Sequence, residues 1–386
     1  MPKHDDLALM RRALELARQG TGLTSPNPCV GAVIVDHDGN TVGEGSYTYD
    51  GLKHAEVLAL EQAGEKAGGA TVYVNLEPCA HQGRTGPCAE ALVAARVGRV
   101  VAAVEDPNPA VSGKGFDILR AAGVEVSVGL AADEARSLNE GFARYVRTRL
   151  PLVTLKTAMT LDGRIAPPPG ESEDPSALGV DGTAGGWITS ETARNHVQEL
   201  RHAADAIMVG VGTVIADDPL LTDRTGLPRR RPLLRVIVDS RLRLPFESRI
   251  AKTCRDDVII FCSFAEEKRK AELMARGIRV EQIALGTSGG RTDLKALVKR
   301  LGEMDITSLI IEGGAMVNGA ALVTGIVDKV FLYYAPKLLG GSGSVPFAAG
   351  PGFRRMSEAA VVKNFRIHRF GEDFAVEGYI RDPWSE

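Results

Sequence analysis

Residues Thr71–Cys88 read TVYVNLEPCAHQGRTGPC. The run Thr71–Leu76 is apolar and β-branched, as a strand requires, and Pro78-Cys79 ends it. Cys88 then opens a stretch of helical spacing that reaches Arg96. Two thiols therefore lie nine positions apart, one past a strand end and the other at a helix start.

The same alternation continues on both sides of this stretch. Leu7, Met10, Leu14 and Ala17 predict a first helix, with Asp5 or Asp6 as cap and Gly20 as stop. Cys29–Val35 and Val42–Gly45 flank Asp38-Gly39, a hairpin signal. A helix is expected over His54–Ala63, a strand over Arg99–Val104, then a helix–strand pair through Phe116–Ala122 and Val124–Val128. Five strands with interleaved helices follow, and continuous apolar runs such as RVVAAV suit a sheet buried on both faces. A helical connector over Ala131–Arg147 leads to Leu150-Pro151; helices rarely continue into X-Pro, so the domains are expected at 1–149 and 150–386. The second half restarts the alternation, with strands expected at Leu152–Lys156, Ala206–Val209, Leu234–Asp239, Val258–Phe261 and Ser308–Ile311. It closes on strand-rich Lys329–Tyr334 and Phe374–Ile380. Pro167–Gly186, rich in Pro, Gly, Ser and acidic residues, reads as a long loop.

Composition bounds the function. The 386 residues suggest two or three domains, and Lys+Arg 46 against Asp+Glu 49 gives no electrostatic reason to bind a polyanion. Arg229-Arg230-Arg231, flanked by prolines, is expected to be a solvated loop. No signal peptide and no apolar run of membrane-spanning length is visible, so a cytoplasmic protein without nucleic-acid or membrane partners is expected. Five sparse cysteines argue for a reducing compartment, where neighbouring thiols more often bind metal than form disulfides.

His54, Cys79 and Cys88 are the ligand set that zinc favours, one ion per chain, with a fourth position open to water. Glu56, two residues past His54, reaches that water without ligating the metal. Zinc lowers the pKa of such a water to ~7, and the glutamate can take its proton and return it to a leaving amine. Zinc nucleobase deaminases carry this pattern, H-x-E followed by P-C and a second cysteine. A structural zinc site would need a fourth ligand; none stands at plausible spacing, His81 being the nearest. Cys29 reads as a small residue packed in a strand.

The motifs P-N-P-x-V-G (Pro26–Gly31), H-A-E (His54–Glu56) and P-C-A-H-Q-G-R-T-G-P-C (Pro78–Cys88) resemble the bifunctional riboflavin-biosynthesis deaminase–reductase family. The resemblance runs from about Asp6 to Ile380. It implies an α/β chain: a cytidine-deaminase-like three-layer domain with a five-stranded sheet, then a dihydrofolate-reductase-like domain. It further implies removal of the 2-amino group of a diamino-(phosphoribosylamino)pyrimidinone, with Asn27 near the pyrimidine and Arg84 holding the ribose phosphate. Two positions depart: Tyr47 stands where family members often have His, and T-G-P-C where many read T-P-P-C.

In the second half no G-x-G-x-x-G opens a strand–helix unit. Val209-Gly210-Val211-Gly212-Thr213 and Ile311-Glu312-Gly313-Gly314-Ala315 instead place glycines between apolar strands and the helices expected after them, where backbone N–H groups can meet a pyrophosphate. Leu155–Gly163, Trp187–Ser190, Gly212–Thr222, Val238–Ser240 and Glu312–Gly314 resemble the family's reductase motifs. The resemblance implies NADPH against Ala158, Trp187, Thr213, Asp217, Ser240 and Gly314, Ala315, Met316, Val317, Asn318, Gly319 and Ala320. It places substrate against Arg201, Leu221, Arg224 and Glu312, and dimers or tetramers as the assembled state. Its chemistry is hydride transfer to C1 of the ribosyl group, with Lys156 as ordering or proton-supplying group and Arg241 near a 2′-phosphate. The long loop before Trp187 leaves Ser172 and Gly185 as alternative substrate contacts. Two other readings stay open: a zinc deaminase with a non-reducing nucleotide-binding domain, and a zinc-stabilised scaffold in which Glu56 is dispensable.

Overall fold

The computed structural model describes residues 5–82, 86–168, 170, 186–286 and 291–385. It divides into two compact units: Met1–Arg149 with Pro228–Arg231 and Trp384–Glu386, and Leu150–Leu227 with Pro232–Pro383.

The first unit runs α1 (Asp6–Arg18), β1 (Gly31–Val35), β2 (Thr41–Ser46), α2 (Ala55–Ala63), β3 (Thr71–Val74) and α3 (Cys88–Ala94). It continues with β4 (Arg99–Ala102), α4 (Lys114–Ala121), β5 (Glu125–Val128), α5 (Ala132–Leu138) and α6 (Glu140–Thr148). Asp5 caps α1, its carboxylate accepting from Ala8 N at 3.1 Å. The five-stranded sheet has the order β2-β1-β3-β4-β5, antiparallel from β2 to β3 and parallel from β3 to β5. β1 is buried on both faces. Ala32 and Ile34 join Ala59, Leu92 and Phe116 in one core; Val33 and Val35 join Met10, Leu14 and Ala135 in the other. The connector is two helices rather than one, broken at Asn139. That buried amide accepts from Cys29 N (2.8 Å) and donates to Cys29 O (3.0 Å), taking a role at a strand end that competes with helix.

What positions the metal ligands is the approach of α2 to β2. A Cβ at Gly43 or Gly45 would collide with the carbonyl oxygens of Ala59 and Ala55, so only glycine lets the helix lie so close. His54 and Glu56, at the start of α2, are thereby fixed over the sheet.

The second unit runs β6 (Leu152–Thr160), β7 (Arg164–Ala166), α7 (Glu191–Ala203), β8 (Ala206–Gly210), α8 (Val211–Asp217), β9 (Leu234–Val238), α9 (Arg249–Lys252) and β10 (Val258–Cys262). Then come α10 (Glu267–Met274), β11 (Arg279–Gln282), α11 (Leu294–Glu303), β12 (Ser308–Ile311), α12 (Ala315–Thr324), β13 (Lys329–Ala335), β14 (Val345–Pro346), β15 (Lys363–Phe370) and β16 (Asp373–Tyr379). Nine strands form one sheet, β11-β10-β9-β8-β12-β6-β13-β16-β15, parallel from β11 to β13 and antiparallel beyond. The sheet separates two apolar cores, one holding Val153, Met208 and Leu309 and the other Ile207, Val209 and Ile260. Each such side chain, fully buried, contributes about 1.5–3 kcal/mol over exposure. β11 and β15, which the apolar pattern does not announce, are the two edges of this sheet. Of the Pro167–Gly186 segment, residues 169 and 171–185 lie outside the described residues. Among the described residues, no helix is long and apolar enough to cross a membrane.

Candidate metal centre and reductase site

In the first unit, ligand atoms of His54, Cys79 and Cys88 all lie within 4.8 Å of one another. His54 Nδ1 stands 3.2 Å from Cys88 Sγ and 3.5 Å from Cys79 Sγ. His54 is the N-cap residue of α2 and Cys88 the first residue of α3. The Cys88 N–H points at Cys79 Sγ (3.3 Å), so the positive end of α3 faces that sulfur. Contact with the Cys88 thiol, together with His54, pulls Cys79 down to about 4, into the thiolate range. The same contact and burial push Cys88 up. Three soft-to-borderline donors converging within 4.8 Å of one another fit zinc, whose four-coordinate preference calls for one further ligand.

Glu56 is buried, and its Oε2 has no hydrogen-bond partner among the described residues. Burial first, then the charge on Cys79, pushes its carboxyl up to about 7. A buried carboxylate oxygen left unpaired is costly and uncommon, and here it sits two residues from a metal ligand.

Around this centre, Tyr47 is buried with its ring edge-on to His54 (centroids 5.3 Å, 81°). The Asn27 amide donates to Tyr47 Oη at 2.7 Å, so the residue replacing the family's histidine holds the asparagine assigned to the pyrimidine. Arg84 lies outside the described residues. Two carboxylates pass unnoticed in the sequence. Glu77, beside Pro78-Cys79, accepts from the backbone N–H groups of Asp106 (3.0 Å), Gly113 (3.0 Å) and Gly115 (2.8 Å) and fixes that loop. Asp106, pushed up to about 6 chiefly by burial, lies within electrostatic reach of Cys79. The signal for this loop was a second Pro-Asn-Pro, at Pro107–Pro109.

Nor is the Arg229–Arg231 run a solvated loop. These arginines are half-buried in the first unit, where Arg230 lies over the Tyr49 ring at 3.6 Å.

In the second unit, the two glycine turns end β8 and β12, which are adjacent parallel strands. They are linked where Gly314 N donates to Thr213 Oγ1 at 3.0 Å. Gly314 is the N-cap of α12, and no side chain caps the helix, which leaves first-turn N–H groups for an anion. The donor set at these strand ends fits a pyrophosphate-bearing cofactor. The remaining assigned residues differ in setting. Met316 and Trp187 are exposed, the indole lying beneath Arg194 at 4.5 Å. Ser240 Oγ bonds Thr292 Oγ1 at 3.1 Å, and Ala158 lies on β6. Asn318 is fully buried and donates to Thr157 Oγ1 (3.1 Å) and Phe347 O (2.7 Å), which anchors α12. Gly319 packs against Ala349.

Glu312, at the end of β12, receives Arg201 through Nε (2.8 Å) and Nη2 (3.0 Å) and Lys156 through Nζ (3.4 Å). Burial would raise its carboxyl, but Lys156 and Arg201 outweigh it and hold the group at about 2. The Arg201 fork is thus bonded to Glu312 and, through Nη1, to Thr222 O (3.1 Å). Leu221 is buried, and Arg224 is exposed.

The cytidine and deoxycytidylate deaminase zinc-binding region matches residues 3–104, and the RibD C-terminal domain matches residues 151–376. The chain is 41% identical over 375 residues to the riboflavin biosynthesis protein RibD of Escherichia coli (strain K12), covering 94% of this chain and 96% of that one. It is similar to the solved Acinetobacter baumannii RibD (39% identity, TM-score 0.81, covering 97% and 98% of the two chains). It is also similar to a diaminohydroxyphosphoribosylaminopyrimidine deaminase/5-amino-6-(5-phosphoribosylamino)uracil reductase of Thermotoga maritima (33%, TM-score 0.76, 97% and 98%).

Fold and metal centre thus define a zinc-binding deaminase of the cytidine-deaminase class joined to a dihydrofolate-reductase-like reductase domain. Across nearly its whole length the chain matches proteins that carry both. It belongs to the RibD family and is a bifunctional deaminase and reductase of riboflavin biosynthesis.

Proposed function

We propose that residues 1–149 hydrolyse the 2-amino group of 2,5-diamino-6-(5-phosphoribosylamino)pyrimidin-4-one. Residues 150–386 would then reduce the ribosyl group of the product to ribityl with NADPH. The observation that carries the deaminase assignment is the buried Glu56 Oε2, unpaired beside the His54–Cys79–Cys88 cluster. Zinc held by those three residues supplies a Lewis acid that acidifies water near neutral pH. Glu56 takes the proton of the attacking water and returns it to the departing amino group, so water is consumed and ammonia leaves. Asn27, held by Tyr47, orients the pyrimidine, and Arg84 takes its phosphate.

On the reductase side NADPH supplies the hydride when bound. Thr213, Gly314 and the first turn of α12 receive its pyrophosphate, supported by the linked glycine turns. Glu312 orders Lys156, whose Nζ holds a proton close to the reacting sugar, and Arg224 faces the substrate phosphate. The family reading adds a dimer or tetramer. All five cysteines are free, as a cytoplasmic enzyme keeps them.

The test is a coupled pair of assays on metal-loaded protein: ammonia release from the diaminopyrimidine phosphate, and NADPH oxidation on adding its deaminated product. Ammonia without NADPH oxidation would favour the reading with a non-reducing second domain; neither activity would leave the scaffold reading.

A further inference from the structure

The first unit is not drawn from one continuous stretch of chain. Pro228–Arg231 belongs to it, although in sequence these residues lie inside the stretch that matches the reductase-domain family. The segment docks on the turn that leads to Asn27. Arg230 N donates to Gly22 O at 2.9 Å, and Arg230 Nη1 donates to Ser25 O at 2.7 Å. Arg231 Nη2 donates to Ser25 Oγ at 2.9 Å. The Arg230 guanidinium lies flat over Tyr49, and the Tyr49 backbone N–H in turn holds Leu23 O at 3.1 Å. Asp50 stands 3.4 Å from Arg230 Nε. Arg230 is therefore bonded to the turn rather than presented to a ligand.

Within the same turn, Asn27 N donates to Thr24 O at 2.9 Å, and the Asn27 amide reaches Tyr47, which abuts His54. A connected set of bonds thus runs from the arginines through Gly22–Ser25 to Asn27 and the edge of the metal centre. Prolines on both sides, Pro228 and Pro232, limit the backbone freedom of the segment.

We propose that Pro228–Arg231 is a strap that positions the deaminase substrate: Arg230 and Arg231 hold the Gly22–Ser25 turn so that the Asn27 amide stays aimed at the pyrimidine. Arg230 and Arg231 are positioning residues, acting through Asn27. The proposal rests on the reading of Asn27 as a pyrimidine contact.

The experiment uses full-length, metal-loaded protein and measures deamination kcat and KM, zinc content and the reductase rate on the deaminated product. Arg230→Ala should raise the deamination KM roughly 2–10-fold, what one or two ordinary hydrogen bonds supply, with kcat, zinc content and reduction unchanged. Arg230→Lys should recover little, since an ammonium cannot reproduce the planar stacked fork. Arg231→Ala should give a smaller rise of the same kind. Asn27→Ala should raise KM as well, and adding Arg230→Ala to it should raise KM no further. An unchanged KM in Arg230→Ala and Arg231→Ala, with Asn27→Ala impaired, would overturn the strap while leaving the Asn27 reading intact. Loss of zinc and of kcat together would make the segment a fold support and overturn it too. An unimpaired Asn27→Ala would remove the Asn27 reading itself.

Discussion

Glu56 in the first unit and Glu312 in the second are both largely withdrawn from solvent beside a candidate site, and the two are treated in opposite ways. Glu56 has an oxygen with no partner among the described residues, and its carboxyl is pushed up to about 7. Glu312 is clamped by an arginine fork and a lysine and held at about 2. A carboxyl poised near neutrality can accept and return a proton; one clamped by two cations stays ionised and serves to order its partners. Burial alone therefore does not announce a catalytic acid. The distinguishing feature is whether the surrounding cations neutralise the group.

The comparison is broken most severely by removing what surrounds Glu56. His54→Ala, Cys79→Ser and Cys88→Ser should each abolish both zinc binding and deamination, read as metal per chain and ammonia release. Near-stoichiometric zinc in any of them would unseat the ligand assignment. Glu56→Gln should lower deamination by ~10²–10⁴-fold while keeping zinc, fold and reduction of the deaminated substrate, because the amide cannot shuttle a proton. Simultaneous loss of reduction would contradict independent sites.

Glu312→Gln should behave the other way. It leaves Arg201 and Lys156 facing a neutral amide, and removing one partner of a buried ion pair costs about 3–5 kcal/mol, so unfolding should move to lower temperature. Glu56→Gln, which strips no cation of its partner, should shift it far less. The acid limb sharpens the contrast further. Because folding lowers the Glu312 carboxyl from its ordinary 4.5 to about 2, its contribution is fully present above 4.5 and is lost as pH falls towards 2. Glu312→Gln should flatten the fall in stability over that window; an unaltered acid limb would show that the clamp adds no net stability. The smallest effect concerns the cofactor: kcat/KM should favour NADPH over NADH by about tenfold or more, the worth of one charged hydrogen bond. Equal values would remove Arg241 as a reader of the 2′-phosphate.

The two sites were not equally legible in the sequence. The metal ligands fall within one short span, are of diagnostic residue type, and sit where strand and helix periods change, so local reading finds them. Lys156, Arg201 and Glu312 are scattered over the second half and meet only in the folded unit, as do Thr213 and Gly314 at the ends of adjacent parallel strands. Local spacing carries none of that. β15 was missed for a related reason: as an edge strand it carries Lys363, Arg366, Arg369 and exposed Phe365 and Ile367, not the buried run that marks an interior strand. Asn139 gives no local sign of a helix break because that role depends on Cys29, far away in sequence. The Arg229–Arg231 run was misjudged because its partners, Ser25 and Tyr49, are equally distant.

The make-up of the first unit has a consequence for the order of events during synthesis. Chains grow from the N-terminus at about 5–20 residues per second, and domains generally fold as they emerge. Here Arg149 is made long before Arg230, and Trp384, whose indole donates to Arg136 O at 3.2 Å and lies beneath the Arg136 guanidinium, is made later than both. The unit that begins first is therefore completed only after residues 232–383 of the second have been made. A ribosome-bound chain holds it incomplete until Trp384 has been added.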